Sequence, residues 1–248
     1  PYLESIRQLK WELGQNALCV HLTYVPFLSA AQELKTKPTQ HSVKELQSLG
    51  VQPDILVLRT EHDLNTNLRK KVALFCNVEN AVVQSIDAST IYEVPLLMQE
   101  QGLDETILQK MGLPVGERPP LGPWKDFLNR RANATETVTI AMVGKYVELQ
   151  DAYKSILESL SQAATYNDRK VKIEYVSSEH LTPDNVDEQL GHVNGVVICP
   201  GFGSRGIEGK FVAAKYTREH NIPTFGICLG MQCMAIEFAR NVLGYADA

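Results

Sequence analysis

Residues 222–232 have the sequence Ile-Pro-Thr-Phe-Gly-Ile-Cys-Leu-Gly-Met-Gln, and they lead into a helix-like pattern that continues to Arg240. The apolar run, the cysteine between glycines and the periodicity that follows predict a strand, a sharp turn and a helix. Such a turn exposes the side chain at its apex, and the positive end of the following helix favours a thiolate there. We therefore predict that Cys228 is a nucleophile and that the Leu229 N–H donates to an oxyanion.

A cysteine after an apolar strand also has a plainer interpretation, because buried cysteines commonly serve as small hydrophobic side chains. The glycines at positions 226 and 230 favour the nucleophile, since a purely structural cysteine has no need of them. Residues 226–232, Gly-Ile-Cys-Leu-Gly-Met-Gln, resemble the nucleophile elbow of class I glutamine amidotransferases.

The composition is that of a globular protein with one large or two ordinary domains: 248 residues, 44% hydrophobic and 21% charged. A net charge of −5 gives no general reason to bind nucleic acid. No apolar segment approaches the ~18 residues that a membrane span needs. We therefore expect neither nucleic acid nor membrane as a partner.

The cysteines predict a reducing compartment and hence a cytoplasmic location. They form no CxxC pair and no repeated metal-ligand spacing, so the sequence favours neither a disulfide framework nor a zinc site. These residues are Cys19, Cys76, Cys199, Cys228 and Cys233.

Strand-like and helix-like segments alternate along the whole chain, which predicts parallel strand pairing and an α/β fold. Proline and glycine interrupt the periodicity between residues 112 and 137, and we interpret this segment as an interdomain linker. The predicted domains are therefore residues 1–111 and 138–248. Because the chain begins at Pro1, without an initiator methionine and directly before a helix-like stretch, we expect it to be part of a longer protein.

The loop at residues 35–40, Lys-Thr-Lys-Pro-Thr-Gln, concentrates cations and hydroxyls in front of a predicted helix. Ser42 and Glu45 have the spacing of a capping box. Cations, hydroxyls and free N–H groups at a helix N-terminus are typical of a phosphate site. The alternative is an ordinary solvated basic loop.

Residues 35–43, Lys-Thr-Lys-Pro-Thr-Gln-His-Ser-Val, resemble the pyrimidine-nucleotide loop of the CTP synthase family. Asp87 and Ala88 resemble the family segment whose main chain meets the adenine of ATP. The resemblance implies UTP and CTP contacts by Lys35, Thr36, Lys37, Pro38, Thr39 and Gln40, with Lys71 from a later helix.

Two segments of the second domain resemble the same family. They are Gly-Lys-Tyr-Val-Glu-Leu at residues 144–149 and Gly-Phe-Gly-Ser-Arg-Gly at residues 201–206, which in the family supplies an oxyanion-hole N–H and a lid residue over bound glutamine. Pro200 stands where the family usually has glycine, so a residue with fixed φ and no N–H precedes the oxyanion donor. The implied glutamine and oxyanion contacts are Gly201, Phe202, Leu229, Gly230, Met231 and Gln232.

The resemblance implies a fold of two incomplete parallel-sheet domains, a P-loop-type amidoligase followed by a flavodoxin-like class I glutaminase. It implies ATP-dependent amination of UTP to CTP with ammonia from glutamine. It also implies CTP as inhibitor, GTP as activator, and assembly into homotetramers and filaments. Mg²⁺ would accompany ATP, with its ligands outside this chain, and no metal ligand or tightly bound cofactor is expected within it.

A cysteine nucleophile normally needs an oriented general base, which the family provides as a His-x-Glu pair downstream. None of the six histidines is followed two residues later by an acid. We therefore expect the isolated chain to be inactive. The alternatives are a short regulatory or filament-forming isoform, and an unrelated flavodoxin-like binding domain with a buried cysteine.

Overall fold

The computed structural model describes residues 1–79 and 81–248, and of Gln150 it describes the backbone alone. Its internal contacts divide the chain into two compact units, Pro1–Leu121 and Gly122–Ala248. In the described part of the chain, no helix has both the length and the apolar character that a bilayer crossing requires.

The first unit is a parallel sheet with helices and one short hairpin. The strands pair in the order β1-β4-β5, all parallel, while β2 and β3 form an antiparallel pair. The elements are α1 (Tyr2–Leu13), β1 (Val20–Tyr24), β2 (Phe27–Leu28), β3 (Glu33–Leu34), α2 (Lys37–Ser48), β4 (Ile55–Thr60), α3 (Thr66–Phe75), β5 (Val82–Ile86), α4 (Val94–Glu100) and α5 (Leu103–Lys110).

The core of this unit is centred on β4, which lies between the other two strands of the sheet. Ile55, Leu56 and Leu58 are fully buried, as expected for the central strand of a covered parallel sheet. Val43 of α2 and Val72 of α3 pack into the same cluster. The hydrophobic strand β4 is thus the strand around which the core of the unit is built.

The helix α2 begins earlier than the predicted capping box requires. Its N-cap is Thr36 and Pro38 lies in its first turn, a position that suits proline because its missing N–H has no intrahelical acceptor there. Ser42 lies inside the helix, and its hydroxyl is 2.9 Å from Nε2 of His21. The prediction of a Ser42–Glu45 capping box was therefore wrong.

The second unit has a parallel sheet in the order β7-β6-β8-β9. Counted within the unit this order is 2-1-3-4, as in flavodoxin-like folds, so the predicted α/β class is confirmed. The elements are α6 (Gly122–Asn133), β6 (Thr137–Gly144), α7 (Lys154–Tyr166), β7 (Lys170–Ser177), α8 (Val186–Leu190), β8 (Gly195–Ile198), α9 (Ile207–Glu219), β9 (Thr224–Gly226) and α10 (Leu229–Asn241).

The segment interpreted as a linker, residues 112–137, contains the helix α6. The proline-rich half of the segment precedes this helix, and Pro123 lies in its first turn, where proline is compatible with helix geometry. Arg130 at its end donates to the Tyr166 carbonyl oxygen at 2.8 Å. The second half of the segment is therefore ordered against its own unit, and the linker's limits stay a prediction.

The helices α9 and α10 are joined by a buried ion pair. Glu237 is 2% exposed and accepts two hydrogen bonds from Arg218, at 3.0 and 2.7 Å, and one from Asn241 at 3.1 Å. Burial raises the pKa of the Glu237 carboxyl, but the hydrogen bonds from Arg218 and Asn241 outweigh burial and lower this pKa below its usual value of 4.5. The ionised pair therefore stabilises the packing of these two helices.

We predict that Glu237→Gln lowers the free energy of unfolding by about 2 kcal/mol, because Arg218 loses its buried charged partner while remaining partly solvated. The folded-state pKa lies below the unfolded value, so this contribution is present above about pH 4.5 and is lost as the pH falls through the folded-state pKa. Urea denaturation at pH 7 and pH 3.5 measures both effects. The matched control is Glu219→Gln, which removes an exposed partner of the same arginine and should lower the free energy of unfolding by less than about 0.5 kcal/mol. Equal losses of stability in the two variants would contradict the prediction.

Candidate active site

The carboxyl ends of β6, β8 and β9 meet at one edge of the second sheet. Val143 of β6 pairs with Ile198 of β8, and Ile198 pairs with Gly226 of β9. The strand order reverses direction between β6 and β8, and such switch points bind ligands in open parallel sheets. The loops that follow the three strands carry Lys145, the residues from Pro200 onward and Cys228, respectively.

Cys228 lies at the turn between β9 and α10 in a conformation that non-glycine residues rarely adopt. Its φ is 53° and its ψ is −110°, and its side chain is exposed. Backbone strain of this kind persists only where the surrounding structure imposes it, and it concentrates at functional sites. The predicted strand, turn and helix are present, and the turn presents the Cys228 side chain to solvent.

The two glycines beside Cys228 are required by close backbone approaches. A Cβ at Gly230 would lie 2.0 Å from the Ile198 carbonyl oxygen, and a Cβ at Gly226 would lie 2.6 Å from the Met231 nitrogen. Real Cβ atoms do not approach other atoms so closely, so neither position accepts a side chain without movement of the backbone. Glycine here lets α10 start directly against β8.

Hydrogen bonds fix this turn on both sides. Ile227 N–H donates to the Ile198 carbonyl at 3.0 Å, and Gly230 N–H donates back to the Ile227 carbonyl at 2.9 Å. Leu229 is the first residue of α10, so its N–H has no acceptor within the helix. The arrangement leaves a donor beside the thiol, where an oxyanion would form.

The structure brings the predicted oxyanion loop next to the turn. An ideal Cβ on Gly201 would lie 3.8 Å from Cδ2 of Leu229, so the two predicted oxyanion residues are neighbours. Phe202 is 85% exposed, and Met231 and Gln232 are exposed in the first turn of α10. Gly201 and Leu229 are thus close together, Gly230 is buried, and the roles of all these residues stay predictions.

No histidine–cysteine pair is formed among the described hydrogen bonds. The one histidine with a described carboxylate partner is His192, 2.7 Å from Glu174. His192 precedes the amino end of β8, whereas Cys228 follows the carboxyl end of β9. This pair belongs to a different edge of the sheet and cannot orient a base at the thiol.

Two lysines at the turn were not assigned by sequence reasoning. Lys210 is 0% exposed and Lys145 is 8% exposed, both unusual for an ammonium group. A signal for Lys210 exists in the sequence, because it shares helical spacing with Ala213, Ala214 and Thr217, which are buried on α9.

The first unit has a cavity of about 650 Å³ at the carboxyl ends of its strands. It brings Pro38, from the predicted nucleotide loop, together with Asp87, from the predicted ATP segment. Arg59 lines the same cavity, and its Nε is 3.4 Å from Asp87 Oδ1. The cavity is also lined by Leu22, Thr23, Tyr24, Ser42 and Glu61.

The residues of the nucleotide loop divide into a structural set and an accessible set. Thr36 and Thr39 are buried, and the Thr39 hydroxyl is bonded to Thr23 and to the Tyr24 carbonyl. Lys35 is half-buried in an ion pair with Glu33, while Lys37 is exposed in the first turn of α2. The threonines thus hold the loop, and Lys37 is the more accessible of its two lysines.

Three further predicted contacts of the first unit are Gln40, Lys71 and Ala88. Gln40 is half-buried and its amide is used, because Nε2 donates to the Thr36 hydroxyl at 3.2 Å. Lys71 is exposed on α3 and is not among the described residues that line the cavity. Ala88 is half-buried directly after Asp87.

The carboxylates at this cavity do not form a metal site by themselves. Glu61 accepts from the Tyr24 hydroxyl at 2.8 Å, and Asp87 is paired with Arg59. Within residues 1–79 and 81–248, no three His, Cys, Asp or Glu side chains are grouped closely enough to hold a metal ion. These residues do not fit Mg²⁺ without further ligands.

Comparison with known protein families assigns both units. The family described as CTP synthase N-terminus matches residues 1–113, and the family described as Glutamine amidotransferase class-I matches residues 148–247. The second unit, with its nucleophile elbow and 2-1-3-4 sheet, is thus a class I glutamine amidotransferase domain.

The curated relatives make the assignment more specific. The chain is 76% identical to the CTP synthase of Bacteroides thetaiotaomicron, 66% identical to that of Porphyromonas gingivalis and 60% identical to that of Flavobacterium johnsoniae, in each case over 100% of this chain. It covers 47%, 46% and 47% of these relatives, so it spans about half of their length. The chain belongs to the CTP synthase family.

A solved structure is also similar to part of the chain. It is described as Trypanosoma brucei CTPS, glutaminase domain with bound acivicin. Its sequence is 40% identical, and the match covers 44% of this chain and 43% of the solved chain, with a TM-score of 0.42.

The strain at Cys228 predicts that glycine is the more stable replacement there. Cys228→Gly should have a free energy of unfolding about 1 kcal/mol higher than Cys228→Ala, because relief of the positive φ outweighs the extra chain entropy of glycine. The control pair is Cys233→Gly and Cys233→Ala, at a buried position inside α10, where glycine should be the less stable by about 1 kcal/mol. Urea denaturation of the four variants gives the comparison, and the same sign at both positions would contradict it.

Proposed function

We propose that this chain is part of a CTP synthase that aminates UTP to CTP with ATP and with ammonia from glutamine. The observation that carries the proposal is the strained, exposed Cys228 beside Gly201 and Leu229 at the switch-point edge of a class I glutaminase sheet. The elbow supplies the nucleophile, and the two backbone donors supply the oxyanion site.

In the proposed glutaminase step, the Cys228 thiolate attacks the carboxamide carbon of glutamine. The carbonyl π electrons move onto oxygen, where the N–H groups of Gly201 and Leu229 stabilise the negative charge. As the carbonyl re-forms, the C–N bond breaks and nitrogen leaves with an added proton as ammonia. Water then cleaves the thioester to give glutamate and the free thiol.

The proton for the leaving nitrogen requires a general acid. No described hydrogen bond connects a histidine to Cys228, and His192, with its Glu174 partner, lies away from the site. We therefore propose that the chain as given binds glutamine and that Cys228 can add to its carboxamide, but that loss of ammonia from this tetrahedral adduct, and hence turnover, is very slow.

The synthetase half of the proposal rests on the cavity of the first unit. Lys35 and Lys37 lie at the start of α2, which favours the phosphates of a pyrimidine nucleotide. Asp87 and Arg59 lie on the same cavity as Pro38 and would meet a second nucleotide, ATP. Mg²⁺ would enter with ATP and take its remaining ligands from groups other than these. The same proposal includes inhibition by CTP, activation by GTP, and a cytoplasmic protein that forms tetramers or filaments.

Labelling by a glutamine mimic tests the glutaminase half. Diazo-oxo-norleucine should modify Cys228 selectively: the thiolate displaces dinitrogen at the diazomethyl carbon after that carbon takes up a proton. Mass spectrometry locates the adduct, excess glutamine should slow its formation, and Cys228→Ala should abolish it. Iodoacetamide serves as the generic thiol reagent. Modification of Cys228 no faster than that of half-buried Cys19 would overturn this half of the proposal.

Nucleotide binding tests the synthetase half. Lys37→Met should weaken CTP binding, measured by calorimetry, by about tenfold or more, since one charge-assisted phosphate contact is lost. The control is Lys44→Met, an exposed lysine further along the same helix, which should leave the affinity unchanged. Equal effects of the two variants would exclude Lys37 from the site. A chain that assembles into filaments but takes up neither CTP nor the glutamine mimic would favour the alternative, a structural or regulatory form.

A further inference from the structure

Lys210 on α9 is the largest fully buried side chain of the described residues, and the proposed chemistry does not use it. Its side chain is 0% exposed, and its ammonium group donates to the Cys199 carbonyl oxygen at 2.6 Å. Burial lowers the pKa of this lysine, which is the cost of removing an ammonium group from water. A lysine held in this way needs a compensating role in the structure.

The surroundings of Lys210 connect it to both sides of the candidate site. The ionisable groups near it include the thiols of Cys233, Cys199 and Cys228 and the ammonium of Lys145. None of the salt bridges described for the chain includes Lys210, and its ammonium group is satisfied by the Cys199 carbonyl oxygen. The buried charge is therefore directed at the loop and the turn, and not at a conventional ion pair.

The Cys199 carbonyl that Lys210 holds lies two residues before Gly201, the first residue of the predicted oxyanion loop. An ideal Cβ on Gly201 would lie 3.7 Å from Lys210 Nζ and 3.0 Å from Lys145 Cε. Lys145 in turn donates to the Phe202 carbonyl oxygen. Two buried lysines thus bind the carbonyls of Cys199 and Phe202, which lie before and after the Pro200–Gly201 peptide.

We propose that Lys210 is a positioning residue of the glutaminase site, which holds the Cys199 carbonyl so that the Gly201 N–H stays directed at the oxyanion beside Cys228. This inference rests on the glutaminase function proposed above. Lys210 does not touch the substrate; it acts through the backbone of the loop. A purely structural lysine would stabilise α9 without any selective effect on chemistry that needs the oxyanion site.

Hydrogen exchange tests the loop directly and does not depend on any reaction at Cys228. In Lys210→Met, amides of residues 201–203 should exchange about tenfold faster or more than in the unaltered chain, because the carbonyl that anchors the loop loses its donor. The matched control is Lys215→Met, an exposed lysine on the same helix. If the amides of residues 201–203 exchange at the same rate in Lys210→Met as in the unaltered chain, the proposal is overturned, whatever the labelling of Cys228 shows.

Selective labelling distinguishes positioning from general stability. Lys210→Met should slow the modification of Cys228 by diazo-oxo-norleucine about tenfold or more, since small misplacements of a catalytic donor are costly. Alkylation of Cys228 by iodoacetamide needs no oxyanion site, so its rate in Lys210→Met should change less than about twofold. If both reagents slow equally, Lys210 is a structural residue and the proposal fails.

A second variant covers the case in which Lys210→Met does not fold, as judged by circular dichroism. Lys210→Gln keeps an N–H donor without the charge or the full reach, so residues 201–203 should exchange faster and diazo-oxo-norleucine should label Cys228 more slowly than in the unaltered chain. A fully folded Lys210→Gln with loop exchange and labelling like those of the unaltered chain would overturn the proposal. Failure of the unaltered chain to label Cys228 would instead count against the glutaminase function, while the exchange result still decides the role of Lys210.

Discussion

The second unit depends on the close packing of the start of α10 against the end of β8. A Cβ at Gly230 would lie 2.0 Å from the Ile198 carbonyl oxygen, which is closer than non-bonded atoms approach in proteins. The helix can therefore start there only because residue 230 is glycine. The hydrogen bond from Ile227 to the same carbonyl holds the turn in place. Helix, strand and turn are thus locked together around one backbone oxygen.

This packing explains why the strain falls on Cys228. β9 ends at Gly226 and α10 begins at Leu229, so the chain turns over Ile227 and Cys228, between two glycines that are held in close contacts. The positive φ falls at position 228, where a non-glycine residue is strained. The same reversal exposes the side chain at the positive end of α10. Strain, exposure and electrostatics are consequences of one geometric constraint, and together they suit a nucleophile.

The sequence could predict the elements of this site because they depend on local patterns. The apolar run, the paired glycines and the helical period of residues 224–240 are each visible without tertiary contacts. The α/β class followed from strand and helix alternation in the same way. The start of α2 was mistaken because two local signals compete there, Pro38 for an early start and Ser42 for a later one. In the fold, the Ser42 hydroxyl is near His21 instead, a partner that no local pattern shows.

The sequence could not predict the positions of the buried polar side chains. Thr39 and Lys210 are both 0% exposed, and each is satisfied by a backbone carbonyl from a distant strand end or loop. Their types favour the surface, so propensity predicts the wrong location, and only the helical spacing of Lys210 with buried neighbours signals otherwise. Prediction of such residues needs the strand order first, because the order decides which carbonyls are left without a partner at the sheet edge.

Pro200 restrains the same loop that Lys145 and Lys210 hold. A proline fixes φ and removes one N–H, which limits how the following peptide can turn. With the Cys199 and Phe202 carbonyls held by Lys210 and Lys145, the loop is restrained covalently at one residue and by hydrogen bonds on both sides of Gly201. Both kinds of restraint are present in the chain itself. In the proposed glutaminase site they would lower the conformational cost of directing the Gly201 N–H at an oxyanion.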